Sequence, residues 1–221
     1  EGLLRLVNDD AYWASLVPLQ DLKGDRLAEK VVRTYVNNIL HYDYTCTPFQ
    51  LLAAEQPIRV VLPNNMTING TLDRLDIKAG MTRVVDYKTG KADLNYSSMA
   101  DVFGVMPPAE GETYALRKQG NTYILQTMLY CWILSDQYAQ LSPTIYPARQ
   151  LSDTSAITGI HAVGDNQPLL FDDTKKREFI DELTALIHEI RNPEIPFYPC
   201  ADEHVCKSCN FMALCGRKSK K

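Results

Sequence analysis

The sequence lacks any apolar run near the ~20 residues that a membrane-spanning helix requires. It also lacks a recognisable signal peptide, so we expect a cytoplasmic protein without membrane attachment. No internal repeat or low-complexity segment interrupts the 221 residues, of which 45% are hydrophobic. These features favour a globular protein with a substantial core, and we predict one domain over residues 1–221.

An excess of positive charge is also missing. Lys and Arg number 23 against 27 Asp and Glu, which gives a net charge of −4. This balance argues against a uniformly basic nucleic-acid binder, although bound cations and local basic clusters can still build a groove for an anionic substrate. Several basic residues lie in or near the motifs described below: Arg74, Lys88, Lys91, Arg117 and Lys118.

The cysteines are unevenly distributed, because four of the 6 lie near the C-terminal end. These four are Cys200, Cys206, Cys209 and Cys215. Their density, with Cys-x2-Cys at the centre, is more typical of a metal site than of a disulfide framework. Four thiolates can hold Zn²⁺ or a 4Fe–4S cluster, and reduced cysteines without a ligand are a further alternative. Cys131 lies in an apolar segment and is predicted to be a small core residue.

Hydrophobic periodicity and turn residues predict a mixture of helices and strands. Helices are predicted over residues 26–40, 123–135 and 173–191, the last beginning at Asp172 or Asp173 and ending before Pro193. Strands are predicted over 58–62, 67–77 and 81–88, as an antiparallel meander, and over 144–147 and 159–163. Residues 92–120, which include Pro107 and Pro108, are predicted to be a loop-rich insertion.

Two neighbouring strand-like runs carry acidic and basic residues close to a turn. Residues 70–76 read Gly-Thr-Leu-Asp-Arg-Leu-Asp, and residues 84–90 read Val-Val-Asp-Tyr-Lys-Thr-Gly. Alternation places Asp86 and Lys88 on one face of their strand, and hairpin pairing can bring Asp73 close to Asp86. Two carboxylates so placed can share a divalent cation such as Mg²⁺ or Mn²⁺. Asp-x-Lys alone also occurs by composition, as a solvated pair on a surface hairpin.

Asp73, Asp86 and Lys88 together are suited to phosphodiester hydrolysis. That reaction needs an activated water, charge neutralisation at phosphorus and assistance to the leaving oxygen, and carboxylate-bound Mg²⁺ supplies most of this. A lysine ammonium held nearby can orient the water or stabilise developing negative charge. The spacing therefore identifies these three residues as candidate catalytic groups.

The longer strings resemble the PD-(D/E)XK nuclease superfamily, and most closely its RecB/AddB-type branch. The strings that carry the resemblance are Gly-x-x-Asp-Arg-x-Asp, Val-Val-Asp-Tyr-Lys-Thr-Gly, Gln126-x3-Tyr130 and Cys206-x2-Cys209-x5-Cys215. The resemblance implies an α/β (α+β), restriction-endonuclease-like fold in which helices flank a central mixed β-sheet, followed by a C-terminal cysteine cluster. We expect a helical part over residues 1–50, the nuclease core over 51–190 and a cysteine-rich tail over 191–221.

The resemblance also implies roles for the residues of the two strands. Asp73 and Asp86 become metal ligands, with the backbone carbonyl of Tyr87 as a third ligand, and Lys88 becomes the catalytic lysine. The metal would be Mg²⁺ or Mn²⁺. For the cysteine cluster, the resemblance favours 4Fe–4S, with Zn²⁺ as the alternative.

Supporting roles are expected for residues around this centre. Gln126 and Tyr130 would support the site or the substrate, and their i, i+4 spacing lies on one helix face; hydrogen bonding within the domain is the alternative. Glu55 is a possible outer group of the site. Asp76 is odd-spaced from Asp73, so we expect it on the opposite face of the strand, paired with a basic residue.

One departure from the branch concerns its upstream motif, a His or Glu on a helix before the nuclease strands. No convincing string of this kind precedes the motifs, and the sequence begins at Glu1 without an initiator Met. We interpret the sequence as the C-terminal domain of a larger polypeptide, with an incomplete metal site. The upstream fourth cysteine of the branch is not visible either. Cys200 or Cys46 could replace it, or it belongs to the upstream part of the larger polypeptide.

The resulting expectation is a Mg²⁺-dependent DNA exonuclease domain in recombination or repair. Its partners would be DNA and a helicase, or a helicase-like region of the same polypeptide. One alternative is a catalytically incomplete DNA-binding or scaffolding module that retains the nuclease fold. Another is an interaction domain stabilised by zinc or a cluster, in which the carboxylates are structural.

Overall fold

The computed structural model describes residues 26–62, 65–106, 117–151 and 158–217. In chain order the elements are α1 (Arg26–Cys46), β1 (Gln50–Val61), β2 (Thr67–Lys78), β3 (Met81–Lys88), β4 (Asn95–Tyr96), α2 (Met99–Val102), α3 (Thr122–Leu134), β5 (Leu141–Pro147), β6 (His161–Ala162), α4 (Asp173–Arg191) and a 3₁₀ turn (Val205–Ser208). No helix in these ranges is long and apolar enough to cross a membrane.

A four-stranded mixed sheet with the strand order β1-β2-β3-β5 forms the centre of the fold. The first three strands are an antiparallel meander, and β5 pairs in parallel with β3, so α3 lies on the crossover between them. The turn between β2 and β3 uses Ala79 and Gly80 at φ values of 50° and 82°. Positive φ at both positions is typical of the type I′ turn, which follows the twist of a hairpin. The predicted meander is therefore confirmed.

One face of this sheet, termed the front face, packs against α3. Ile124, Met128 and Cys131 of α3 are completely buried and share a core with Leu75 and Val84 of the sheet. The predicted core position of Cys131 is confirmed. Burial of each large apolar side chain contributes about 1.5–3 kcal/mol, so this contact fixes α3 firmly over β3 and β5.

The opposite face, termed the rear face, packs against α1. Ile39 and Tyr42 of α1 contact Val85 of β3 and Tyr146 of β5. Asn38 also donates a side-chain hydrogen bond to the Ala148 carbonyl at 3.1 Å. The sheet therefore has a helix on each face, and the predicted mixed α/β architecture is confirmed.

Several predicted boundaries agree with the structure and others do not. Asp172 caps α4 by accepting from the Lys175 N–H, and α4 ends at Arg191, as predicted. The predicted strand over 58–62 was too short, because β1 begins at Gln50 and includes Pro57. Proline is tolerated there because β1 is an edge strand. The predicted insertion over 92–120 contains β4 and α2, and its residues 107–116 lie outside the described ranges.

Candidate active site

Asp86 and Lys88 meet on the front face at the end of β3. Asp86 is buried, with 2% of its surface exposed. Its Oδ2 lies 2.6 Å from the Lys88 Nζ. Lys88 also donates to the Gln126 Oε1 at 2.9 Å and lies over the Tyr123 ring, 5.0 Å from its centroid. The ammonium is therefore held between a carboxylate, an amide oxygen and an aromatic face.

Asp73 reaches the same site from β2. Its Oδ2 accepts a hydrogen bond from the Tyr87 backbone N–H at 2.8 Å. Arg74 pairs with Val85 in the β2–β3 ladder, which places Asp73 and Asp86 at adjoining positions. The structure therefore brings together the three residues that the sequence identifies as candidate catalytic groups.

The electrostatics of this site leave it short of positive charge. Burial raises the pKa of Asp86; Lys88 opposes this effect and the Asp73 carboxylate adds to it. Asp86 Oδ2 is buried and accepts no hydrogen bond in the described part of the chain, although it contacts the ammonium of Lys88. Two carboxylates and one lysine leave one negative charge in excess. Hard oxygen donors with this charge are of the kind that Mg²⁺ or Mn²⁺ prefers, so the chemistry of the Asp73 and Asp86 carboxylates suits such an ion. Their role as ligands, with the Tyr87 carbonyl as a third, stays a prediction.

Gln126 and Tyr130 continue the hydrogen-bonded chain along α3. The Gln126 Nε2 donates to the Tyr130 hydroxyl at 2.8 Å, while its Oε1 accepts from Lys88. Tyr130 lies against Gly70 of β2, where an added Cβ would come within 2.9 Å of the ring carbon Cε1. Gly70 therefore allows the close approach of α3 to β2. Sequence analysis assigned no role to this glycine, although it opens the Gly-x-x-Asp string.

Glu55 lies on β1, next to the strand that carries Asp73. In the β1–β2 ladder, Ala54 pairs with Arg74 and Gln56 pairs with Leu72, so Glu55 lies across from Asp73. Glu55 and Asp73 themselves do not form a pair of this ladder. Glu55 is exposed and has a φ of 49°. Within the described ranges, no hydrogen bond or ion pair holds its carboxylate. Its predicted role as an outer group of the site stays a prediction.

A second charged group, termed the rear-face cluster, comprises Asp43, Arg74, Asp76 and Arg83. Asp76 accepts from the Arg74 Nε at Oδ2 and from the Arg83 Nε at Oδ1, each at 2.7 Å. Asp43 accepts from the Arg74 Nη1 at 2.6 Å and from the Tyr146 hydroxyl at 3.1 Å. The expected pairing of Asp76 with a basic residue is confirmed. Sequence analysis missed Asp43 and Arg83 because they come from a separate helix and a neighbouring strand.

The C-terminal cysteines are all free thiols. Arg217 Nη1 donates to the Cys206 sulfur at 3.0 Å and to the Cys200 carbonyl at 2.7 Å. Across the described ranges, no group of three or more His, Cys, Asp or Glu residues is arranged to hold a metal ion. The predicted role of Cys200, Cys206, Cys209 and Cys215 as 4Fe–4S or Zn²⁺ ligands has no support in this geometry and stays a prediction.

The N-terminal part of the chain, where the branch carries its upstream metal-site motif, is described only from Arg26 onward. Residues 1–25 lie outside the described ranges, so the first half of the predicted N-terminal helical part stays a prediction. The helix predicted over residues 26–40 is confirmed as α1, which continues to Cys46. His41 is on α1 with its side chain exposed.

Comparison with known proteins supplies the family. A search of curated proteins finds no significant match. The sequence model of one protein family, the PD-(D/E)XK nuclease superfamily, matches residues 5–216. This span includes Asp73, Asp86, Lys88 and α3. The central mixed sheet between helices is consistent with the restriction-endonuclease-like fold expected from the motifs. Because the match extends over nearly the whole sequence, the chain belongs to the PD-(D/E)XK nuclease superfamily.

Proposed function

We propose that this chain is the nuclease domain of a divalent-metal-dependent deoxyribonuclease. The observation that carries the proposal is the contact of Lys88 with Asp86 beside Asp73, at a site with one carboxylate in excess. Asp73, Asp86 and the Tyr87 carbonyl would hold the cation. When bound, the ion would lower the pKa of a water molecule and offset negative charge on the phosphate.

Lys88 would orient the attacking water and stabilise negative charge on the phosphate oxygens. Gln126 and Asp86 hold its ammonium from two sides, which fixes its direction before substrate arrives. A donor fixed in advance stabilises a transition state without the cost of reorganisation. Tyr130 would act indirectly. Its hydroxyl accepts a hydrogen bond from the Gln126 Nε2 and thereby orients the Gln126 Oε1, which accepts the hydrogen bond from Lys88.

Asp73 would be oriented by the main chain. The Tyr87 N–H donates to its Oδ2, so its Oδ1 would be the oxygen that binds the cation. A carboxylate oriented by a hydrogen bond of this kind is typical of metal ligands. Tyr87 would thus contribute twice, through its N–H to Asp73 and through its carbonyl to the cation.

The finer assignment rests on the resemblance of the motif strings to the RecB/AddB-type branch. It supports a DNA exonuclease of recombination or repair that works beside a helicase or a helicase-like region, in the cytoplasm. The lack of a convincing upstream His or Glu string favours a second candidate, a DNA-binding or scaffolding module that does not cleave. DNA binding without cleavage at saturating Mg²⁺ would select this second candidate.

The proposal is tested by DNA cleavage with Lys88→Ala. Linear DNA labelled at either end is incubated with Mg²⁺, or with EDTA, and matched circular DNA detects internal cleavage. We expect cleavage to require Mg²⁺, to spare circular DNA and to fall by at least ~10²-fold in Lys88→Ala, the scale of one preorganised electrostatic group.

Lys176→Ala is the matched control. Lys176 pairs with Asp136 on the surface, with 3.0 Å between its Nζ and the carboxylate. The Lys176→Ala variant should therefore cleave DNA at the wild-type rate. Full cleavage by Lys88→Ala would contradict the role of the lysine. Cleavage of circular DNA at the linear rate would contradict exonuclease action.

A further inference from the structure

The backbone of Glu55 is unusual for its place in the fold. Among the described residues, four non-glycine positions have positive φ: Glu55, Asn65, Ala79 and Gln140. The last three lie between strands or just before one, whereas Glu55 lies within β1. A left-handed conformation costs an L-residue roughly 1–2 kcal/mol and does not fit a regular strand. Such an outlier beside a functional site calls for a physical explanation.

The partner strand changes its side-chain alternation opposite Glu55. In a regular strand, residues three apart point to opposite faces. Leu72 and Leu75 are three apart, yet both are buried in the front-face core against α3. Arg74, between them, belongs to the rear-face cluster. The alternation of β2 therefore shifts by one residue between Leu72 and Arg74, which is the position of Asp73.

The same position ends the pairing of β2 with β3. The last pair of that ladder is Arg74 with Val85. Beyond it, the Tyr87 N–H donates to the Asp73 side chain. The carboxylate thus occupies the place of a main-chain acceptor, and β2 separates from β3 at the proposed metal site. Irregularities of this kind bend a strand and redirect a side chain beside active sites.

We propose that Glu55 is a positioning residue for the metal site and acts through its backbone. Its left-handed conformation interrupts the β1–β2 ladder, so that Asp73 turns toward Asp86 and β2 leaves β3 at that point. The Glu55 carboxylate takes no part, in agreement with its exposure and its lack of partners in the described ranges. This inference rests on the proposed metal site of Asp73 and Asp86.

Three substitutions at Glu55 separate the backbone from the carboxylate. Glu55→Val removes the carboxylate and opposes positive φ, because β-branched residues favour the extended conformation. Glu55→Gly removes the carboxylate and accepts positive φ without strain. Glu55→Gln removes only the charge. Ala79→Val is the control, because it places valine at a φ of 50° in the β2–β3 turn, away from the site.

The measurements are Mn²⁺ affinity by titration calorimetry and thermal stability by circular dichroism. We expect Glu55→Val to weaken Mn²⁺ binding by at least ~10-fold, the scale of lost ligand orientation. Glu55→Gly and Glu55→Gln should bind Mn²⁺ within about two-fold of wild type, because both permit the left-handed conformation. Ala79→Val should lower the melting temperature as Glu55→Val does, and leave Mn²⁺ affinity unchanged.

Each other outcome overturns the inference. Weak Mn²⁺ binding by Glu55→Gln or Glu55→Gly would mean that the carboxylate supports the metal site. Wild-type Mn²⁺ affinity in Glu55→Val would mean that the backbone conformation of Glu55 has no role there. If Glu55→Val does not fold, Glu55→Thr, which is also β-branched but polar, takes its place, and the same two outcomes decide the inference. Wild-type protein that binds no Mn²⁺ would overturn the proposed metal site together with this inference.

Discussion

The two faces of the central sheet differ in the balance of their buried charges. On the rear face, Asp43, Arg74, Asp76 and Arg83 provide two negative and two positive charges. Their hydrogen bonds connect α1 to β2 and β3, and Asp76 is completely buried between its partners. A balanced and well hydrogen-bonded cluster of this kind leaves no charge for a ligand to neutralise.

The front face, in contrast, carries an unbalanced charge. Asp73 and Asp86 face a single ammonium, that of Lys88, and burial raises the pKa of Asp86. A buried group whose charged form is disfavoured is typical of a functional site. Charge balance, more than burial, therefore separates the rear-face cluster from the candidate active site. Substitutions that remove one carboxylate from each face test this difference.

The largest effect on stability is expected from Asp76→Asn on the rear face. Removal of this carboxylate leaves Arg74 and Arg83 buried with only Asp43 to balance them. Breaking a buried ion pair from one side costs ~3–5 kcal/mol, and we expect this loss in urea unfolding. Asp136→Asn is the control, because the Asp136 side chain is 89% exposed beside Lys176 and should change little. Equal stability of the two variants would mean that the rear-face cluster does not hold the fold.

Asp86→Asn on the front face should separate activity from stability. We expect cleavage to fall by at least ~10²-fold, as for removal of one electrostatic group of an active site. Stability should be retained or increased at neutral pH, because a raised pKa means that the folded state disfavours the ionised form.

The pH dependence of this effect has a definite sign. Well below pH ~3.9, the ordinary pKa of aspartate, Asp86 is protonated in both the folded and the unfolded state and the substitution changes stability little. As the pH rises, ionisation favours the unfolded chain, so the advantage of Asp86→Asn should grow toward pH 7. Melting temperatures between pH 4 and 7 measure this trend. A variant that becomes less stable than wild type as the pH rises would contradict it.

The smallest effect is expected from Gly70→Ala, at the contact between α3 and β2. The new Cβ would lie 2.9 Å from the Tyr130 ring, so α3 or the ring has to move. Overpacking of this kind costs ~1–3 kcal/mol, which urea unfolding resolves. Gly90→Ala is the matched control beside another tyrosine of α3, because its Cβ would lie 3.5 Å from the Tyr123 hydroxyl, an ordinary contact. A loss for Gly90→Ala as large as that for Gly70→Ala would contradict the steric explanation.

Local features of the fold were predicted well from the sequence. The start of α4 after Asp172 follows from a capping side chain, and the β2–β3 hairpin follows from alternation and a glycine turn. The front-face position of Asp86 and Lys88 follows from alternation within one strand, and their meeting with Asp73 follows from hairpin pairing. Each of these features depends on residues close together in the sequence, so the local sequence is enough to predict it.

Other features could not be predicted because they depend on contacts between distant segments. Asp43 reaches Arg74 across the rear face from α1, and Gly70 meets Tyr130 from another element. The left-handed backbone of Glu55 has no sequence signal, because glutamate has no preference for that conformation. The early start of β1 was missed because Pro57 argues against a long strand except at a sheet edge.

The strand order implies a sequence of events during folding. β1, β2 and β3 are joined by short turns, so they can pair with a small loss of chain entropy. β5 pairs with β3 only after the chain has passed through α3, and such long-range parallel pairing is slow. Asp73, Asp86 and Lys88 can therefore come together on an early hairpin, before α3 has docked. Gln126 reaches Lys88 only when α3 has packed on the sheet, so we expect the contacts that hold the lysine to be completed late in folding.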